Sequence, residues 1–175
     1  GAIGATTLDG RAKALRADSC RRSTGSLTVP REFAVAMPDK VDVELRTHLI
    51  RADGDEDLAF ALWTPSVGRN RLTALVHTVV LPLRGDRQVH GNVSFNPQYF
   101  ERVCAMALDR RCGIAFLHSH PYPGWQGMSH DDVIAEQKLA GATLGLTELP
   151  LIGLTIGSDG TWSARAWEHE RGRSH

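Results

Sequence analysis

Neither sign of charge dominates this chain. Its 175 residues carry 20 Lys and Arg against 20 Asp and Glu, so the basic face that nucleic acid or an anionic membrane requires is missing. No apolar run reaches the roughly 18 residues of a transmembrane helix. No apolar h-region stands near the start, so no secretory signal is expected. Cysteine is scarce as well. Cys20, Cys104 and Cys112 make an odd number without a Cys-x-x-Cys pair, which argues against a disulfide framework or a structural zinc knot. Neither Cys104 nor Cys112 has the surroundings of a catalytic nucleophile, and this usage fits a reducing cytoplasm. The length suits one domain with a real core rather than two.

What is present is a run of short apolar segments separated by turn residues. Residues 1–30 show no apolar periodicity and read as a loosely ordered arm. A strand is expected over Glu32–Met37, then a helix capped by Asp39 and running to about Arg51. Leu58–Trp63 reads as a strand buried on both faces and ending at Pro65, and Arg71–Leu83 as a long β-rich run. His77 within that run reads as a strand histidine, and His48 as a surface or satisfied core one. After a turn at Gly85–Arg87 comes a short strand, His90–Phe95. Asn96 and Pro97 open a helix whose stripe is Phe100, Val103, Cys104, Ala107 and Leu108, stopping near Gly113. Gly141–Gly145 is expected to turn the chain. Leu151–Ile156 reads as a buried strand, Ser158–Gly160 as a hairpin, and Thr161–Trp167 as its return. The charged remainder, 169–175, reads as a fraying tail. The fold class expected is α/β (α+β), a mixed sandwich around a curved, mainly antiparallel sheet flanked by helices.

The chemistry concentrates in Leu117-His118-Ser119-His120-Pro121 and the residues that follow. Ile114–Leu117 reads as a short buried strand, so His118 and His120, two apart, share one face of extended chain. A Pro- and Gly-rich loop then leads to Ser129, a natural N-cap, with Asp132 on the first turn of the next helix. Two imidazole nitrogens and a carboxylate oxygen leave a zinc ion one position open for water, which is the catalytic type of site. Read alone, Ser129 with Asp132 is more readily only a helix cap, and a His-x-His pair on a strand is more often structural or surface than metal-binding. Both features joined by one short loop favour a metal site.

His118-x-His120-Pro121, seven residues, Ser129, two residues and Asp132 resemble the signature of the JAMM (JAB1/MPN) zinc metalloproteases. The loop Pro123-Gly124-Trp125-Gln126-Gly127-Met128 is most similar to bacterial JAB proteins associated with ubiquitin-like conjugation. The resemblance covers roughly Phe33 to Trp167 and implies a single MPN/JAB-like domain, over 31–168, with a cytidine-deaminase-like layout. It implies one Zn2+ held by His118, His120 and Asp132, with Ser129 as oxyanion donor and an upstream glutamate as general base. Glu56-Asp57-Leu58-Ala59 fits the glutamate's pattern, Ala59 standing where a glycine is common. The residues alone read Glu56 as part of a solvated acidic turn with Asp53, Asp55 and Asp57, and a one-residue shift would select Asp55 or Asp57 instead.

The activity the resemblance implies is hydrolysis of an amide, the isopeptide after the C-terminus of a ubiquitin-like protein or its conjugate, with E1/E2-like proteins of the same pathway as further partners. A zinc hydrolase of small peptides or sulfur-carrier proteins, and a non-catalytic MPN binding module, are the alternatives. Trp125 reads either as a wall for an extended substrate tail or as a plug holding the loop closed.

Overall fold

Two apolar segments that pair in the middle of a sheet organise the molecule. The computed structural model describes residues 32–90 and 92–167; the arm over 1–30, the tail over 169–175 and Cys20 lie outside the described residues. The elements are β1 (Glu32–Ala36), α1 (Asp39–Leu49), β2 (Leu58–Val67), β3 (Arg71–Val80), β4 (Arg87–His90), β5 (Asn92–Phe95), α2 (Pro97–Arg110), β6 (Gly113–Ser119), α3 (His130–Thr147), β7 (Leu151–Ile156) and β8 (Trp162–Trp167). The described chain is thus a mixed α/β unit with three helices.

Six strands form one sheet in the order β1-β3-β2-β6-β7-β8, and β4 pairs β5 in a separate two-stranded ribbon. Antiparallel pairs predominate, but β1–β3 and β6–β7 run parallel. A parallel pair needs a crossover rather than a hairpin, and α3 supplies it between β6 and β7. The edge strands β1 and β8 approach one another, which six strands spaced about 4.8 Å apart can do only if the sheet curls.

Strand alternation sorts side chains into two layers. Ala59, Ala61 and Trp63 of β2, with Ala115 and Leu117 of β6, face Val41, Leu45 and Leu49 of α1. Leu58, Phe60 and Leu62, with Ile114 and Phe116, face α2 and α3 through Tyr99, Val103, Leu139 and Ala140. Period two therefore carries His118, two residues beyond Phe116, onto the α3 side of the sheet.

Several boundaries depart from the sequence expectation. No side chain caps α1: Pro38 is its N-cap and Asp39 its first residue, and the helix ends at Leu49. β2 continues through Pro65 to Val67. Beyond Trp63 it has left β6 and pairs only with β3, so the missing N–H of Pro65 lies at a local edge. β3 stops at Val80, and the strand expected over His90–Phe95 is a hairpin beginning at Arg87. Asn96 caps α2 as expected, accepting from Tyr99 N at 2.9 Å. The α2 stripe, however, is anchored by Tyr99, while Leu108 is 52% exposed. The larger correction concerns Gly141 and Gly145, which do not turn the chain. α3 runs through both and ends on Glu148 in the left-handed region, φ 59°. Two glycines cost about 2 kcal/mol against alanine, and the contacts of Glu136, Leu139, Ala140 and Thr143 on the sheet offset it.

Gly153 of β7 shows how closely α3 sits. A Cβ there would lie 2.2 Å from Glu136 Oε2 and 2.8 Å from Arg165 Nε. Gly153→Ala should destabilise the chain by at least the 1–3 kcal/mol, roughly, of an overpacked core, read as a fall in the thermal midpoint.

Candidate metal centre

The end of β6 presents the first two donors. Leu58 pairs with His118 across β2–β6, and His118 with Thr155 across β6–β7. Beyond the strand the ladder extends by one bond, His120 N donating to Ile156 O at 2.9 Å. Ser119 N donates to Asp57 O at 3.0 Å, and Asp57 N to Ser119 Oγ at 2.9 Å. Asp57, which follows Glu56, is thereby zipped to Ser119 between the two histidines.

The third donor comes from the first turn of α3. Ser129 Oγ accepts from Asp132 N at 3.1 Å, and Ser129 N donates to Asp132 Oδ2 at 2.8 Å. This reciprocal cap orients the Asp132 carboxylate. His118 Nε2 lies 3.6 Å from Asp132 Oδ1, His120 Nε2 lies 3.5 Å from Oδ2, and the two Nε2 atoms are 3.1 Å apart. The carboxylate that completes the cap is thus also the one that faces both imidazoles. Asp131, its neighbour, is exposed and outside the group that can hold a metal.

These residues fit a divalent cation. Donors about 2.0–2.2 Å from a tetrahedral zinc stand roughly 3.3–3.6 Å apart, close to the separations of these three side chains. Burial pushes the His118 imidazole down to about 3, so it stays neutral, the form that ligates. The hydrogen bond to Asp132 draws the His120 pKa above its ordinary value, although burial opposes it. Burial also works against the Asp132 carboxylate, yet hydrogen bonds from His120 and Ser129 and the nearness of His118 hold it well below the usual range. An ionised acid facing two imidazoles favours one positive charge among them, which a metal ion supplies. His118 Nδ1 is buried without a hydrogen-bond partner among the described residues. The ring orientation of His118 is therefore set by packing, with Phe116 5.6 Å away between centroids, and by what surrounds Nε2.

Of the four acids before β2, Glu56 faces this centre. It is half-buried, and burial pushes its carboxyl up, with His120 lowering and Asp132 raising it. Asp57 points elsewhere. It is 1% exposed and held by Arg87 Nε at 2.5 Å and Nη2 at 2.7 Å, and by Arg51 Nη1 at 3.3 Å. Asp53 pairs with Arg51 and accepts from Asp55 N. Asp55 walls a shallow cleft beside His120, together with Ile50, Arg51, Pro121 and Ser158.

The loop from Pro121 to Met128 is tied from within. Gln126, not singled out in the sequence, is buried, and its Nε2 donates to Tyr122 O, Pro123 O and Gly124 O at 2.9, 3.0 and 2.9 Å. Its N–H reaches Ser163 Oγ at 3.0 Å, and its side chain also favours the cation of His120. Gly124, at φ 81°, donates to Asp159 Oδ2 at 3.0 Å. Trp125 is 63% exposed, more than a side chain buried as a plug would be. The sequence signal for Gln126 was weak: one amide among Pro and Gly.

Two other histidines are placed as expected. His77, on β3, contacts Thr78 Oγ1 at 2.9 Å and Cys112 Sγ at 3.7 Å, and His48 Nε2 meets Leu58 O at 3.0 Å. Cys104 and Cys112 are both free thiols. No protein-family model and no curated protein matches this chain. Among the described residues no helix is long and apolar enough to cross a membrane.

Proposed function

We propose that this chain is a zinc-dependent isopeptidase of the JAMM type, hydrolysing the amide bond after the C-terminus of a ubiquitin-like protein. The observation that carries the reading is the convergence of donor atoms from His118, His120 and Asp132 within 4.8 Å of one another, with the half-buried carboxylate of Glu56 beside them. His118, His120 and Asp132 would hold the metal. When bound, zinc would supply Lewis acidity and lower the pKa of a coordinated water to about 7.

The protein's own groups supply the rest. The Glu56 carboxylate would take a proton from the attacking water and pass it to the leaving amine, which is general acid–base catalysis. Ser129 Oγ accepts from Asp132 N, so its O–H remains available to donate to the carbonyl oxygen as charge develops there. The exposed Trp125 and Tyr122, at 63% and 69%, flank the loop that follows His120 and offer apolar surface to an extended tail. A bacterial ubiquitin-like pathway is the proposed setting.

Metal content tests the reading first. The purified chain should carry about one zinc, and a His120→Ala variant of equal helicity should carry none. A parent chain that stays metal-free after zinc is supplied would leave only a binding module. A loaded parent should then release the tail from a ubiquitin-like fusion, and a loaded but inert parent turns the reading toward smaller substrates.

A further inference from the structure

Glu136 is the most deeply buried acid of α3, at 0% exposure, one turn beyond Asp132. Both of its carboxylate oxygens are taken by β8. Arg165 Nε reaches Oε2 at 2.7 Å, Arg165 Nη2 pairs with Oε1, and Trp167 Nε1 with Oε2. The same guanidinium donates from Nη1 to Thr155 Oγ1 at 2.9 Å. Thr155 is the register partner of His118 on β7, and its hydroxyl lies 3.5 Å from His118 Nε2. A chain of contacts therefore leads from the helix that carries one ligand to the ring of another.

The other buried residues of α3 are Leu139, Ala140 and Thr143. The apolar contacts of Leu139 and Ala140 are non-directional and do not by themselves fix the rotation of a helix. A planar, bidentate guanidinium–carboxylate pair does fix it, because both bonds need one orientation. Gly153 leaves the space that this pair occupies, since a Cβ there would meet both partners. Among the described residues, His118 Nδ1 also has no partner of the kind that commonly aims a ligating imidazole.

We infer that the buried Glu136–Arg165 pair, with Thr155, is the positioning element of the metal centre: it sets the height and rotation of α3 so that Asp132 meets His118 and His120. The inference rests on the metal-site reading and deepens it. The pair touches neither metal nor substrate and acts only through the ligands.

Zinc affinity, measured by chelator competition beside the thermal midpoint, separates positioning from plain stability. Replacing both partners together, Glu136→Leu with Arg165→Leu, removes the directional contact without leaving an unpaired buried charge, an exchange that folds tolerate. That variant should keep a cooperative melt and bind zinc about 10–100-fold more weakly, the usual effect of an outer-shell loss. Arg165→Lys keeps the charge but not the fork, and should weaken zinc binding in the same direction with a smaller change in the melt. Parent-like zinc affinity in either folded variant overturns the inference while leaving the metal site standing. A parent chain that binds no zinc overturns both.

Discussion

Asp132→Ala leaves the purified chain without zinc, whereas Asp131→Ala leaves the metal content unchanged. The two residues are adjacent, but consecutive helix positions point about 100° apart. Only Asp132 sends its carboxylate oxygens to 3.6 and 3.5 Å from the two imidazole nitrogens. Losing a ligand should cost more than the roughly 10–100-fold of an outer-shell partner, because the one anionic donor is removed and two neutral imidazoles remain. Alanine also deletes half of the helix cap, since Ser129 N then loses its acceptor, at about 1 kcal/mol. Asp132→Asn separates the two effects: the amide oxygen can still accept from Ser129 N, while the charge is gone. Zinc loss in Asp132→Asn with an unchanged melt assigns the effect to ligation. Retention of zinc by both Asp132 variants, with loss in Asp131→Ala, would break the ligand assignment.

The parts of the fold legible in the sequence were those governed by local rules. The apolar runs at Leu58–Trp63 and Ile114–Leu117 became the central strands, and Asn96-Pro97 capped α2, because burial on both faces and helix capping act over a few residues. Spacing also placed the donors correctly: His118 and His120 turn both Nε2 atoms to one side, and Ser129 caps α3. The misreadings came where tertiary contact overrode local preference. Gly141 and Gly145 look like a break, yet the sheet holds α3 straight through them. The connection through α3 makes β6–β7 parallel, which turn residues alone do not announce. Glu136 and Arg165 stand 29 positions apart, and nothing local announces their pairing. Asp57 was one of four similar acids until Arg87, 30 residues on, removed it from contention.

The contest among those acids gives the last expected result: Glu56→Gln retains zinc and the native melt but loses about 10²–10⁴ in turnover of an isopeptide or fusion substrate. Glutamine preserves the size and half-buried packing of the side chain while removing its capacity to accept a proton. Because Glu56 is not among the grouped donors, metal content should not follow activity down. Asp55→Asn, at the wall of the cleft beside His120, should stay near parent turnover. Asp57→Asn should lose stability first, since it would leave Arg87, held at 2.5 and 2.7 Å, facing a neutral partner in a buried place. The decisive comparison is kcat in zinc-loaded Glu56→Gln and Asp55→Asn at equal metal content. Full activity in the first with loss in the second would move the general base one residue upstream and with it the alignment of the strand that follows. Loss in Glu56→Gln alone ties proton transfer to the carboxylate whose charged neighbours are His120 and Asp132, two of the three groups that would hold the metal.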